Sequence, residues 1–225
     1  TTDRDLCLAA SVISLLHTIN LSDIKPLESL LDKLNMSQEL FLKMIYRLCE
    51  DEFVEIKLDK VATISDQCLR NYMLYYAFCK KRIVPYSELL EIGFRSFRNG
   101  IVKATSILWN IFSSSEIHDY LSSEIEKVWD IYKEEGGEIF YEFVKYFHDF
   151  RPEEVLLIVK DKIEAVDADK INIDEIDFSK DKYHTEDVII EMLSGYCNRT
   201  LLPEAVELMC EYVEKKQSAI DTVMQ

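Results

Sequence analysis

Between Phe53 and Ile64 the hydrophobic period changes from 3.6 residues to 2, and this change limits what the chain can fold into. FVEIKL alternates as a strand, Asp59-Lys60 supplies a turn, and VATI answers as its partner. On both sides of this hairpin the apolar residues recur at helical spacing. Five Gly and four Pro in 225 residues leave little material for a loop-rich all-β design. The class expected is mainly α, with helices joined by short connections.

Ahead of the hairpin, LCLAASVISLLHTI (6–19) reads as an apolar helix with Asp3 or Asp5 near its start. Leu27, Leu30, Leu31 and Leu34 form the stripe of a second helix. Ser37 starts a third, with Leu40, Met44, Ile45 and Leu48 on one face. Three helices and a hairpin give the order of a winged-helix domain, placed at 1–65. Asp66 caps the next helix, expected over 67–81. Its apolar residues fall in two stripes: Leu69, Tyr72, Met73 and Tyr76, then Leu74, Tyr75 and Phe78. A helix apolar on two sides is expected between neighbours.

The remainder of a helical domain, 66–166, follows as an antiparallel, α-solenoid-like array. Ser87 and Ser115 are expected to start helices, Gly136-Gly137 to break one, and Phe140, Phe143, Val144 and Phe147 to form a core stripe. Residues 167–184 are polar and acidic and read as a linker or long loop. A helical pair, 185–225, closes the chain as the possible start of a repeat array, with Pro203 in a first turn.

The net charge of −16 disfavours non-specific binding to nucleic acid and to anionic membranes. The third helix carries Lys43 and Arg47 against Glu39, Glu50, Asp51 and Glu52. Residues 1–65 hold seven Lys and Arg against eleven Asp and Glu. DNA is therefore not the expected partner of the winged helix, and a protein contact is favoured. Six cysteines without a CxxC pair read as free thiols in a reducing, cytoplasmic setting. No apolar run approaches the ~20 residues that span a bilayer. The opening TTDRD does not look like a natural start, so a longer protein is expected.

Reactive chemistry is sparse. No two glycines stand five apart ahead of Lys and Ser or Thr, so no phosphate-binding loop is expected. His118-Asp119 and His148-Asp149 have the form of metal-hydrolase pairs, but His17 and His184 have no Asp neighbour, and solvated helix faces are the expected reading. Asp167-Ala-Asp169 begins like a calcium loop. Ile171, Asn172 and Phe178 then stand where a ligand, a glycine and a bidentate Glu are needed. No catalytic residue, metal ligand or cofactor is expected in this chain.

ISDQCLRNYMLYYAFCKKRIVPYSELL (64–90), FVKYFHDFRPEEVLLIV (143–159) and LSGYCNRTLLPEAVELMCEYVEKK (193–216) resemble the region that follows the nucleotide-binding domain in bacterial STAND ATPases, signal-transduction NTPases related to the NACHT and apoptotic-ATPase groups. The resemblance implies an ATP/ADP-binding domain upstream, sensor repeats downstream and a protein trigger as partner. It makes this chain a non-catalytic regulatory segment that couples nucleotide state to the helices. In that group a Met-His-Asp motif ends the winged helix, and its His touches the nucleotide. Here Ile64-Ser65-Asp66 stands in that place without the His, which leaves Ser65 and Asp66 as the nucleotide-sensing candidates. The alternative is a winged-helix transcription regulator with an acidic helical effector domain.

Overall fold

The computed structural model describes residues 3–169, 187–196 and 200–219. The chain forms two compact units, Thr1–Glu135 and Gly136–Gln225. It is mainly helical, with one small three-stranded sheet.

The first unit is built around α1 (Asp3–Leu16). Asp3 and Asp5 stand in its first turn, where carboxylates complement the positive helix end. Every residue from Leu8 to Leu15 is buried. Ser14 hides its hydroxyl by donating to the Ala10 carbonyl at 2.8 Å, and Ser11 donates to Cys7. An all-round buried helix must be surrounded, and α1 packs against the later helices that begin at Gln38, Gln67 and Arg98. The helix expected over 6–19 ends early, at Leu16. His17 takes the left-handed conformation (φ 65), and Thr18–Asn20 forms strand β1. The cause lies 46 residues away. β1 pairs antiparallel with a later strand, whose Thr63 hydroxyl donates to the His17 carbonyl at 2.9 Å.

A single 3₁₀ turn, Lys25–Leu27, leads into α2 (Glu28–Lys33), and Leu27, Leu30, Leu31 and Leu34 are all buried. Ser37 caps α3 (Gln38–Glu50) by accepting from the Leu40 amide at 3.1 Å. The buried stripe is Phe41, Met44, Ile45 and Leu48. Phe41, fully buried, thus takes the place expected of Leu40, which is half-buried. Strands β2 (Glu55–Lys57) and β3 (Val61–Thr63) form the expected hairpin, turning through Leu58 and Asp59, both at φ 53. The sheet order is β1-β3-β2, all antiparallel.

Asp66 accepts from the Leu69 amide at 2.7 Å and caps α4 (Gln67–Leu74). The helix then widens into π geometry over Tyr75–Lys80. Of its two apolar stripes, Leu74 and Phe78 enter the core, while Tyr72 on the other is 43% exposed. Leu69, Met73 and Tyr76 of that stripe are half-buried, so the helix expected between neighbours is covered fully on one flank and partly on the other. Three helices complete the unit: α5 (Tyr86–Ser96), α6 (Arg98–Ile111) and α7 (Ser115–Glu135). Gly93 lets α5 approach α6, since a side chain there would meet Ile101 at 3.1 Å.

Ser115 does not start α7 alone: the Ser114 hydroxyl accepts from the Ile117 amide at 3.3 Å. Ser87 is not the cap of α5 either. It lies one residue inside the helix, behind Pro85. Its amide and hydroxyl both donate to Glu124 of α7, at 2.8 and 2.7 Å.

The second unit begins at Gly136 and Gly137, with φ of 69 and 70. These values favour glycine on backbone grounds alone, as nothing lies within 4 Å of a side chain placed there. α8 (Gly137–Phe147) buries Phe140, Phe143, Val144 and Phe147, the expected stripe. α9 (Pro152–Ala165) packs on α10 (Val188–Ser194) and α11 (Leu202–Lys215). Lys215 donates to the Ile163 carbonyl at 2.9 Å and satisfies the end of α9. Asp187 caps α10 with one oxygen and takes the Tyr212 hydroxyl on the other at 2.6 Å. Gly195 is required for space: an added side chain would come within 2.4 Å of the His148 ring.

Candidate functional site

The corner after β3 carries the two nucleotide-sensing candidates. Ala62, Thr63 and Ile64 are buried, and the chain then surfaces at Ser65 and Asp66, both exposed. The Asp66 carboxylate is engaged by the Leu69 amide. Arg70, one turn into α4, folds back and donates to the Ile64 carbonyl at 2.6 Å, with a longer approach of 3.4 Å to the Ser65 carbonyl. The guanidinium therefore braces the corner that joins sheet to helix. Arg70 carried no motif that sequence reasoning could use, because its acceptors are backbone atoms.

A second region was not foreseen. At the start of α6 lies a cavity of about 700 Å³, lined by His17, Arg95, Arg98, Asn99, Gly100 and Lys103 among others, with no carboxylate in its lining. Arg95 holds Glu135 through both guanidinium nitrogens, one at 3.0 Å, and lies over the Tyr132 ring. Arg98 lies over Phe94, 4.9 Å from the ring centre. α6 has no side-chain cap at Phe97 and no acidic residue in its first turn. The His17 imidazole is held below its ordinary pKa, first by burial, then by repulsion from Lys103 and Arg70. The signal that could have found this region is the cluster Arg95, Arg98 and Lys103 in so acidic a chain. His17 joins it only through the fold.

Glu124 shows the opposite arrangement. It is 4% exposed, and burial acts to raise its carboxyl pKa. Lys127, together with the amide and hydroxyl of Ser87, outweighs burial and holds it below the ordinary range. Tyr120 adds its phenolic oxygen as acceptor for the Tyr86 amide at 3.1 Å, and burial pushes its own pKa up to about 12.

The paired histidines serve packing. His118 stacks on Trp109 with ring centres 4.0 Å apart, and its Nε2 meets the Trp109 carbonyl at 2.9 Å. His148 sits over Gly195 and near Tyr196. Among the described residues no group of three His, Cys, Asp or Glu converges as metal ligands. Of the calcium-like stretch, Asp169 accepts from the Ser218 amide at 3.1 Å, while Ile171, Asn172 and Phe178 lie outside the described residues, as does His184. On α3, Arg47 pairs with Asp51 at 3.0 Å, and within the hairpin Lys57 pairs with Glu55 of the same strand at 3.5 Å. Among the described residues no helix is long and apolar enough to cross a membrane.

No family model, curated protein or solved structure matches the chain.

Proposed function

We propose that the chain is a non-catalytic regulatory segment: a winged helix continuous with an α-solenoid-like helical array, coupling the state of an upstream ATP/ADP-binding domain of the STAND type to helices downstream. The observation that supports this most is the path out of the sheet. The succession α1-β1-α2-α3-β2-β3, with β3 central, runs through Asp66 directly into α4, which packs back on α1. A displacement of the sheet is thereby passed to the helices through one capped, Arg70-braced corner. Rigid elements joined at such a corner suit a device with two arrangements. Its partners are the flanking parts of the same cytoplasmic protein and a protein trigger.

Two measurements test this reading. The coding sequence immediately upstream of Thr1 is expected to encode a GxxxxGK[ST] loop. The purified chain alone is expected to give no ATP turnover, and turnover abolished by a substitution within it would overturn the proposal. The transcription-regulator reading predicts duplex DNA binding that weakens as salt rises. The paired cations Arg47 and Lys57 make that the less favoured outcome.

A further inference from the structure

We propose that the outer face of α11 is a docking site for a basic amphipathic helix of a partner protein. The inference rests on this one face and does not require the regulatory reading above.

Spacing is the first ground. Leu202, Val206, Met209 and Val213 fall at i, i+4, i+7 and i+11 on α11. That alternation of four and three is the one that lines a helix against another helix. The core of the unit does not use this seam. Ala205, Leu208 and Tyr212 are the buried residues of α11. Each stands one position ahead of a seam residue, and so lies about 100° round the helix from it. Val206 is 51% exposed and Leu202 36%, while Met209 and Val213 are half-buried. The helix thus carries two apolar stripes, of which its own unit covers one. The second runs for about three turns, the length over which a docked helix sets its anchor residues.

Charge is the second ground, and it selects the partner. Glu207 and Glu214 each follow a seam residue and border the seam on the side away from the core. Glu204 and Glu211 lie beyond them, and all four are exposed. α11 holds no cation before Lys215. Lys215 turns inward to the Ile163 carbonyl at 2.9 Å, and Lys216, just past the helix, reaches Asp187 at 3.3 Å. These two cations are drawn into the unit, and the seam keeps its negative border. A second copy of the same face would set glutamate against glutamate, which disfavours self-pairing. A helix with leucine-type residues on its own seam and Lys or Arg at its flanks complements both features.

The test is titration of the full chain with a fluorescent synthetic peptide of about five helical turns, read by anisotropy. The peptide carries leucine on its seam and lysine at its flanks, and a twin carries glutamate in place of lysine. The lysine peptide is expected to bind and the glutamate twin to fail. Val206→Glu should weaken binding about tenfold, or ~1.4 kcal/mol, although it adds an acid to the face. Ile111→Glu, the same change at an exposed position on α6, should leave affinity unchanged. Glu207→Gln combined with Glu214→Gln should weaken binding severalfold. All of these positions are exposed, so the variants are expected to fold, which circular dichroism checks. Bound peptide should slow alkylation of Cys210, exposed beside the seam, and leave that of Cys68, exposed on α4, unchanged, as mapped by mass spectrometry. Binding as tight in Val206→Glu as in the wild type would mean diffuse charge attraction and overturn the proposal. So would equal binding of the two peptides, failure of both, or a dimer of the chain in light scattering that Val206→Glu dissolves.

Discussion

Helices α5 and α6 begin twelve residues apart, at Tyr86 and Arg98, and their starts are satisfied in different ways. Neither has a side-chain cap of its own, as Pro85 precedes one and Phe97 the other. At α5 the chain supplies the missing acceptors from α7. Glu124 takes the Ser87 amide and hydroxyl, and Tyr120 takes the Tyr86 amide. At α6 the neighbouring Arg98 and Lys103 have the same sign as the helix end and supply no acceptor. A helix start satisfied by a buried carboxylate holds two helices together, and the start of α6 has no such tie. α4, capped locally by Asp66, gives the ordinary case between them.

The contrast can be broken most strongly at Glu124. Glu124→Ala strips α5 of its remote acceptor and leaves the half-buried Ser87 amide without it. An expected loss of about 2–4 kcal/mol would be read by urea denaturation. Glu124→Gln keeps the shape and removes the charge, at about 1–2 kcal/mol near neutral pH, and it adds a pH signature. Because the folded carboxyl sits below its ordinary range, its contribution is complete above the unfolded pKa of ~4.3. That contribution is lost as pH falls through the folded value. The gap between wild type and Glu124→Gln should therefore close below about pH 4, and a gap constant with pH would show that the charge contributes nothing.

Asp66→Ala removes a local cap and should cost about 1 kcal/mol, near the usual value for such caps. A much larger loss would mean the corner depends on Asp66 more than on Arg70. The smallest effect sharpens the comparison from the α6 side. Asn99→Asp places an acid in the first turn of α6, at an exposed position lining the cavity. Stability should rise by about 0.3–1 kcal/mol, read by urea denaturation, and no gain would mean that the first turn of α6 already finds its acceptors elsewhere.

What could be read from residues alone followed their range of action. The mainly helical class, the β2–β3 hairpin, the Asp66 cap, the leucine stripe of α2 and the phenylalanine stripe of α8 all come from neighbours within a turn or two. Three other features depend on distant partners. Thr18–Asn20 becomes a strand because β3 lies beside it, ending α1 at His17. Ser87 loses its expected capping role because Glu124, 37 residues on, takes both its donors. Tyr72 is left exposed while Leu69, Met73 and Tyr76 of its stripe are half-buried, because cover on that flank depends on which distant elements pack there.

Local spacing, capping chemistry and the scarcity of glycine and proline were enough to determine that this chain is helical, where most of its helices begin, and that one hairpin interrupts them. Only the tertiary structure decided which carboxylate serves which helix end, and which cations meet around His17. Helical period acts through bonds between near neighbours, whereas electrostatic partnership depends on distance in space, which the order of residues does not encode.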